Sequence, residues 1–279
     1  MSDLLKKIFA PQLTFEGVAQ SEKFLRVFCD LYRIELFKDG LDLILTKVQE
    51  KRLGFEVKII KGWDTNLGCF LTDHKNLYDK TLGKFFRKKD LKIILRNLSH
   101  NLLAHEMTHA LECESGINLG EEFRKAIGFD MKDRQAPMLP LRAEIQRLMV
   151  DALKSYPKEQ FLSELFARYF ELLSVSRNVH ATGDFTTKEV MEFFENTTNF
   201  IEKIFNPQIQ HLIDPKIAAV TSEIARQVKL EAPQQKFSER VDSFHKRSEN
   251  SWSKNVKSNA NWQNSWQQHQ ALEDKKDKK

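Results

Sequence analysis

His105, Glu106 and His109 are the residues whose types and spacing could do chemistry. They sit in the run Asn101-Leu102-Leu103-Ala104-His105-Glu106-Met107-Thr108-His109-Ala110-Leu111. On a helix, residues four apart share a face, so His105 and His109 can present two imidazoles to one metal ion. Glu106 lies about a hundred degrees round the helix from His105, within reach of a water on that ion. Two neutral nitrogen donors beside a carboxylate are what a hydrolytic zinc site takes from its first element. The ordinary alternative is a pair of surface or hydrogen-bonded histidines on an amphipathic helix.

The elements around the motif suit the chemical reading. Leu102, Leu103, Met107, Ala110 and Leu111 give the helix a buried side, Ser99 suits an N-cap, and Gly116 suits a stop. Immediately upstream, Leu91 to Leu95 read as a strand feeding into the motif helix. A catalytic zinc takes three protein ligands and keeps one position for water. The compact form with a glycine and a third histidine just downstream is excluded, because those positions hold Glu112 and Ser115.

The best third ligand is Glu164. Pro157 suits a first helical position, and the run from Phe161 to Leu173 that follows is helical and rich in apolar residues. Glu164 lies among Phe161, Leu165 and Phe166, where a buried carboxylate needs a cation. Alternatively it lies on a solvated stripe with Arg168, its i+4 partner. Cys113, one turn beyond His109, would point past the metal and reads as a structural thiol.

With a downstream glutamate completing the set, the chain resembles the gluzincins, the thermolysin-like clan of zinc metallopeptidases. Glu164-Leu165-Phe166-Ala167-Arg168-Tyr169-Phe170 is similar to the E-F-F-A-E-x-F signature of the anthrax lethal factor-like peptidases. The resemblance covers about residues 55 to 175 and is specific at the two motifs. It implies a zincin-like fold, one Zn2+ per chain held by His105, His109 and Glu164, and Glu106 as general base. It also implies a tyrosine near the metal that stabilises the oxyanion, which Tyr156 matches in kind. Arg168 departs from the pattern: the family carries an acidic residue four positions after the zinc glutamate. A carboxylate orienting a histidine must then come from elsewhere, and Glu171 is the nearest candidate. Asn66 to Thr72 read either as an edge strand above the metal, to which a peptide could add, or as a core strand or hairpin arm.

Composition sets wider bounds. Twenty-one Phe and a 41% hydrophobic content support a sizeable core, while 10 Gly and 7 Pro in 279 residues favour long helices over a turn-rich β fold. No apolar stretch approaches bilayer-spanning length, and Met1 to Ala10 lack the form of a secretory signal. Cys29, Cys69 and Cys113 are odd in number and widely spaced, which argues for a reducing compartment. The expected location is cytoplasmic, in the producing cell or in one reached by a signal-peptide-independent route. The net charge is +5, but residues 233–279 hold ten Lys/Arg against six Asp/Glu and supply most of it. A nucleic-acid footprint on the core is therefore not indicated.

The expected architecture is α+β: a small, mostly antiparallel sheet with a majority of helices. Residues 1–54 read as an N-terminal helical segment, 55–180 as the metallopeptidase core, and 181–232 as a C-terminal helical segment packed on it. Strand signals fall at Phe55 to Ile60, Asn66 to Thr72 and Leu91 to Leu95, and helical patterns at Leu141 to Leu153, 186–205 and Gln208 to Leu230. Asn206-Pro207 is expected to break the chain between the last two, and Pro215 to bend the final one. Residues 233–279 are polar and basic and read as a disordered tail. Trp252, Trp262 and Trp266 make that tail either a recognition segment for a protein partner or a flexible end with incidental aromatics. The leading function is a zinc-dependent endopeptidase acting on peptide or protein substrates. The alternatives are a catalytically idle zincin-fold protein that binds a partner through its tail, and a helical interaction protein with a chance motif.

Overall fold

A computed structural model describes residues 3–10, 13–15, 18–57, 68–72, 75–76, 91–95, 97–133, 137–180 and 182–230. The tail with Trp252, Trp262 and Trp266 lies outside these residues, as do 58–60 and 66–67, the ends of two expected strands. The architecture is α+β, with helices predominating around one five-stranded sheet.

The strands are β1 (Leu13–Phe15), β2 (Leu53–Val57), β3 (Gly68–Thr72), β4 (Lys75–Asn76) and β5 (Leu91–Leu95), in the spatial order β1-β2-β5-β3-β4. Buried Leu53, Phe55 and Val57 alternate with half-buried residues, and buried Leu91, Ile93 and Leu95 with exposed Lys92 and half-buried Ile94, so β2 and β5 turn one apolar face inward. The sheet is mixed, which corrects the expectation of a mostly antiparallel one. β1 runs parallel to β2, and β2 parallel to β5, with Leu53 opposite Leu91 and Val57 opposite Leu95. Antiparallel pairing is confined to β3 with β5 and β3 with β4. Residue types in such short strands carry no sign of pairing sense; the long excursion between β2 and β5 permits the parallel return. β3 is a hairpin arm: β4 pairs only with Leu71 and Thr72.

The N-terminal helices α1 (Asp3–Phe9), α2 (Val18–Asp30) and α3 (Lys38–Gln49) pack onto this sheet. Phe9, Phe24, Phe28 and Phe55 form an aromatic cluster, with Phe9 5.1 Å from both Phe24 and Phe28 and 5.7 Å from Phe55 between ring centroids. β5 leads into α4 (His100–Ser115), which Ser99 caps by accepting from the Leu102 amide and Gly116 stops at φ +66°. Next come α5 (Gly120–Asp133), α6 (Leu139–Ile145), a π turn at Gln146–Val150, α7 (Asp151–Ser155) and α8 (Phe161–Ser174). Pro157 starts a 3-10 turn rather than α8 itself.

The last described elements are α9 (Thr187–Phe193), α10 (Glu195–Phe200), a π turn at Ile201–Phe205, α11 (Asn206–Ile209) and α12 (Pro215–Leu230). A capping box, Thr186 with Glu189, starts α9. The helix expected across 186–205 is divided at Phe194, and the expected break at Asn206-Pro207 falls instead at residues 210–214. The π turn resets the hydrogen-bond register, so Pro207 lands in the first turn of α11, where its missing N–H costs nothing. One continuous apolar cluster runs from Leu5 to Val228. α8 lies at its centre: Phe166 and Phe170 meet Phe123, Phe205 and Phe37, the last stacked on Phe170 at 4.3 Å.

Candidate metal centre

α4 is buried along its whole middle. Every residue from Leu103 to Leu111 is buried, polar as well as apolar. Its apolar side packs into the core, and its His105–Glu106–His109 side is covered by α8. Glu164, in the first turn of α8, is wholly buried against it. Two elements that are far apart in the chain thus bring together His105, His109 and Glu164, whose ligand atoms lie within 4.8 Å of one another. His105 Nε2 is 3.2 Å from His109 Nε2. The Glu164 carboxylate lies 3.4 Å from His109 Nε2 and 3.7 Å from His105 Nε2.

The remaining ring nitrogens decide what these atoms can do. His105 Nδ1 lies 3.2 Å from Glu171 Oε2, off ideal alignment but facing an atom that can only accept. His109 Nδ1 lies 3.1 Å from Ser163 Oγ, and Ser163 donates its own proton to Glu112 Oε2. Ser163 can therefore only accept from His109. These partners favour the tautomer with the ring proton on Nδ1, which would turn both Nε2 atoms towards the Glu164 carboxylate as acceptors. Two imidazole nitrogens and one carboxylate converging in this way could hold a metal ion, and that donor set suits zinc.

Charge balance points the same way. Glu106, Glu164 and Glu171 are buried together, and Arg168 meets two of them, 3.9 Å from Glu164 Oε2 and 2.5 Å from Glu171 Oε2. A dication added to the guanidinium would balance three carboxylates. Burial pushes the Glu106 carboxyl up from its usual range, with Glu164 adding to the rise and His105, His109 and Arg168 opposing it. For His109, burial works against the charged ring, but Glu164, Glu106 and Glu112 outweigh it and raise the ring's basicity. A proton and a metal ion compete for that lone pair. Glu171 is opposed by burial yet held down to about 2 by His105 and Arg168.

Glu171 is the carboxylate that orients His105. It lies seven residues beyond Glu164 on the same face of α8, two turns rather than one, and Asn101 Nδ2 donates to its other oxygen at 3.3 Å. Tyr156, the residue after α7, is half-buried beside this group. Burial and then Glu164 raise its phenol, while Arg168 opposes that rise. Sequence reasoning missed Ser163 and Glu112, which steady His109. Their signal was available: Ser163 precedes Glu164, and Glu112 follows His109 by three on the same helix face. Cys113 is partly buried and is not one of the converging atoms. A groove of about 910 Å3, lined by Glu35, Asp39, Met191 and Glu195 among others, shares no residue with this centre.

Neither the scan against family models nor the comparisons with curated proteins and with solved structures finds a match for this chain.

Proposed function

We propose that this protein is a zinc-dependent endopeptidase of the gluzincin type, with a zincin-like core similar to that of the lethal factor-like peptidases. The observation that carries the reading is the convergence of His105 Nε2, His109 Nε2 and the Glu164 carboxylate in one buried site beside Glu106. Zinc held by these three side chains would supply Lewis acidity, lowering the pKa of a bound water towards neutrality and polarising the scissile carbonyl.

The chain's own residues do the rest. Glu106 accepts the proton of the attacking water and delivers it to the leaving amine. Its burial raises its proton affinity, which suits a group that must both take and release a proton near neutral pH. The Tyr156 phenol donates to the developing oxyanion, and its raised pKa keeps the phenol protonated for that purpose. Glu171, and Ser163 with Glu112, hold the two rings in the tautomer that leaves Nε2 free for metal. No helix among the described residues is long and apolar enough to cross a membrane. We place the protein's work in a reducing compartment on its three dispersed cysteines.

The test is metal content followed by peptide-library cleavage. About one zinc per chain is expected, lost in His105→Ala, with cleavage by the wild type that Glu106→Gln lacks. Failure of the pure protein to take up zinc would overturn the metal site. Zinc without cleavage would overturn the peptidase assignment and favour an idle zincin-fold protein acting through a partner.

A further inference from the structure

Arg168 stands out against the chemistry of the site. A divalent metal site gains from negative charge around its ligands, and a guanidinium beside two of the carboxylates works against it. Arg168 is mostly buried, with 23% of its side chain exposed, and is fixed in place. Nη1 holds Glu171 Oε2, the same oxygen that faces His105 Nδ1, and Nε lies 3.9 Å from Glu164 Oε2 without making a hydrogen bond. Arg168 thus competes with His105 for one carboxylate oxygen and presses a positive charge towards a metal-binding carboxylate. Two consequences follow from electrostatics alone. Buried carboxylates are costly without a counter-cation, so Arg168 stabilises the folded protein when no metal is bound. The same charge repels an incoming dication and draws electron density from the carboxylate that would make His105 a stronger donor.

We propose that Arg168 is a built-in counter-cation of the metal centre, a positioning residue that keeps the metal-free site folded and restrains the affinity for zinc. The inference rests on the metal reading above and extends it from which residues bind zinc to how tightly they bind it. It distinguishes Arg168 from an ordinary structural ion pair by the sign of its effect. Loss of a structural residue loosens a site, whereas loss of Arg168 tightens this one.

The experiment is titration of the purified full-length chain with Zn2+ in competition with a chromophoric chelator, alongside thermal unfolding with and without zinc. Arg168→Gln and Arg168→Met should bind zinc roughly tenfold more tightly than the wild type. Their metal-free forms should melt lower, and zinc should raise their melting temperature by more. Arg168→Lys, which keeps the charge, should remain near the wild-type affinity. If Arg168→Met does not fold, Arg168→Gln and Arg168→Lys decide the question between them. Unchanged or weaker zinc binding in folded Arg168→Gln would overturn the proposal. So would Arg168→Lys binding as tightly as Arg168→Gln. A wild-type protein that binds no zinc would instead overturn the metal site itself, an outcome distinct from these.

Discussion

Asp130 and the carboxylates beneath α4 are both buried acids, but their surroundings differ in kind. Asp130, on α5, accepts from the amides of Asn196 and Thr197 at 3.1 and 2.7 Å and from Asn196 Nδ2 at 2.7 Å. These neutral donors are fixed at the start of α10, and with them the carboxylate ties two helices together. Where α4 meets α8, buried Glu106, Glu164 and Glu171 and half-buried Glu112 crowd around two imidazoles. Among the donors that reach them are Arg168, Asn101, Ser163 and the ring N–H groups. A buried acid supplied with donors is architecture. A cluster of carboxylates facing two imidazoles is the kind of arrangement a cation would balance, and on that contrast rests the proposal of a metal site at the α4–α8 contact.

The largest effect expected from this contrast falls on Glu106. Glu106→Gln should lower turnover by about 10²–10⁴-fold and leave zinc stoichiometry unchanged, because the proposed mechanism makes Glu106 the general base and not a ligand. Steady-state cleavage with metal analysis reads both quantities. A variant that still cleaves at the wild-type rate would remove the one role that sets Glu106 apart from a structural acid.

Next in size is a matched pair of changes. Glu171→Gln should weaken zinc by roughly 10–100-fold, since it removes the carboxylate facing His105 Nδ1. Asp130→Ala should leave zinc affinity untouched and cost about 1–3 kcal/mol in urea unfolding, because the Asn196 and Thr197 amides lose their acceptor. Zinc loss on changing Asp130, or none on changing Glu171, would erase the distinction between the two regions.

Local signals made much of this legible, and non-local ones did not. The motif helix was bounded by its own residues, Ser99 and Gly116, and β5 was marked by four apolar residues in a run of five. Glu164 could be proposed because a carboxylate flanked by Phe161, Leu165 and Phe166 has few places to go. Glu171 was harder to read: its role depends on α8 crossing α4 at an angle that lets a residue two turns on reach His105. The three-residue β1, inside a segment read as helical, was missed because so short a run carries too few residues to show a period. α5 was also missed, although Phe123, Ile127 and Met131 recur every four residues and are all buried. The sheet's parallel half depends on which strands become neighbours, and strand composition does not encode that.

The smallest effect expected sharpens the contrast at its boundary, Glu112. This carboxylate accepts from Ser163, as Asp130 accepts from its amides, yet burial raises its pKa above the usual 4.5, with Ser163 and His109 opposing the rise. A carboxyl whose folded pKa is raised binds more protons folded than unfolded across the interval between the two values. Its contribution to stability is present in full below the unfolded pKa and is lost as pH rises through the folded one. Zinc-free wild type should therefore lose stability relative to Glu112→Gln as pH is raised from about 4.5, as read by urea midpoints at a series of pH values. Parallel curves would show that Ser163 satisfies Glu112 as fully as the α10 amides satisfy Asp130. Glu112 would then belong with the architecture, and the acids to be compensated at the α4–α8 contact would reduce to the three carboxylates that Arg168 and the proposed divalent ion would together balance.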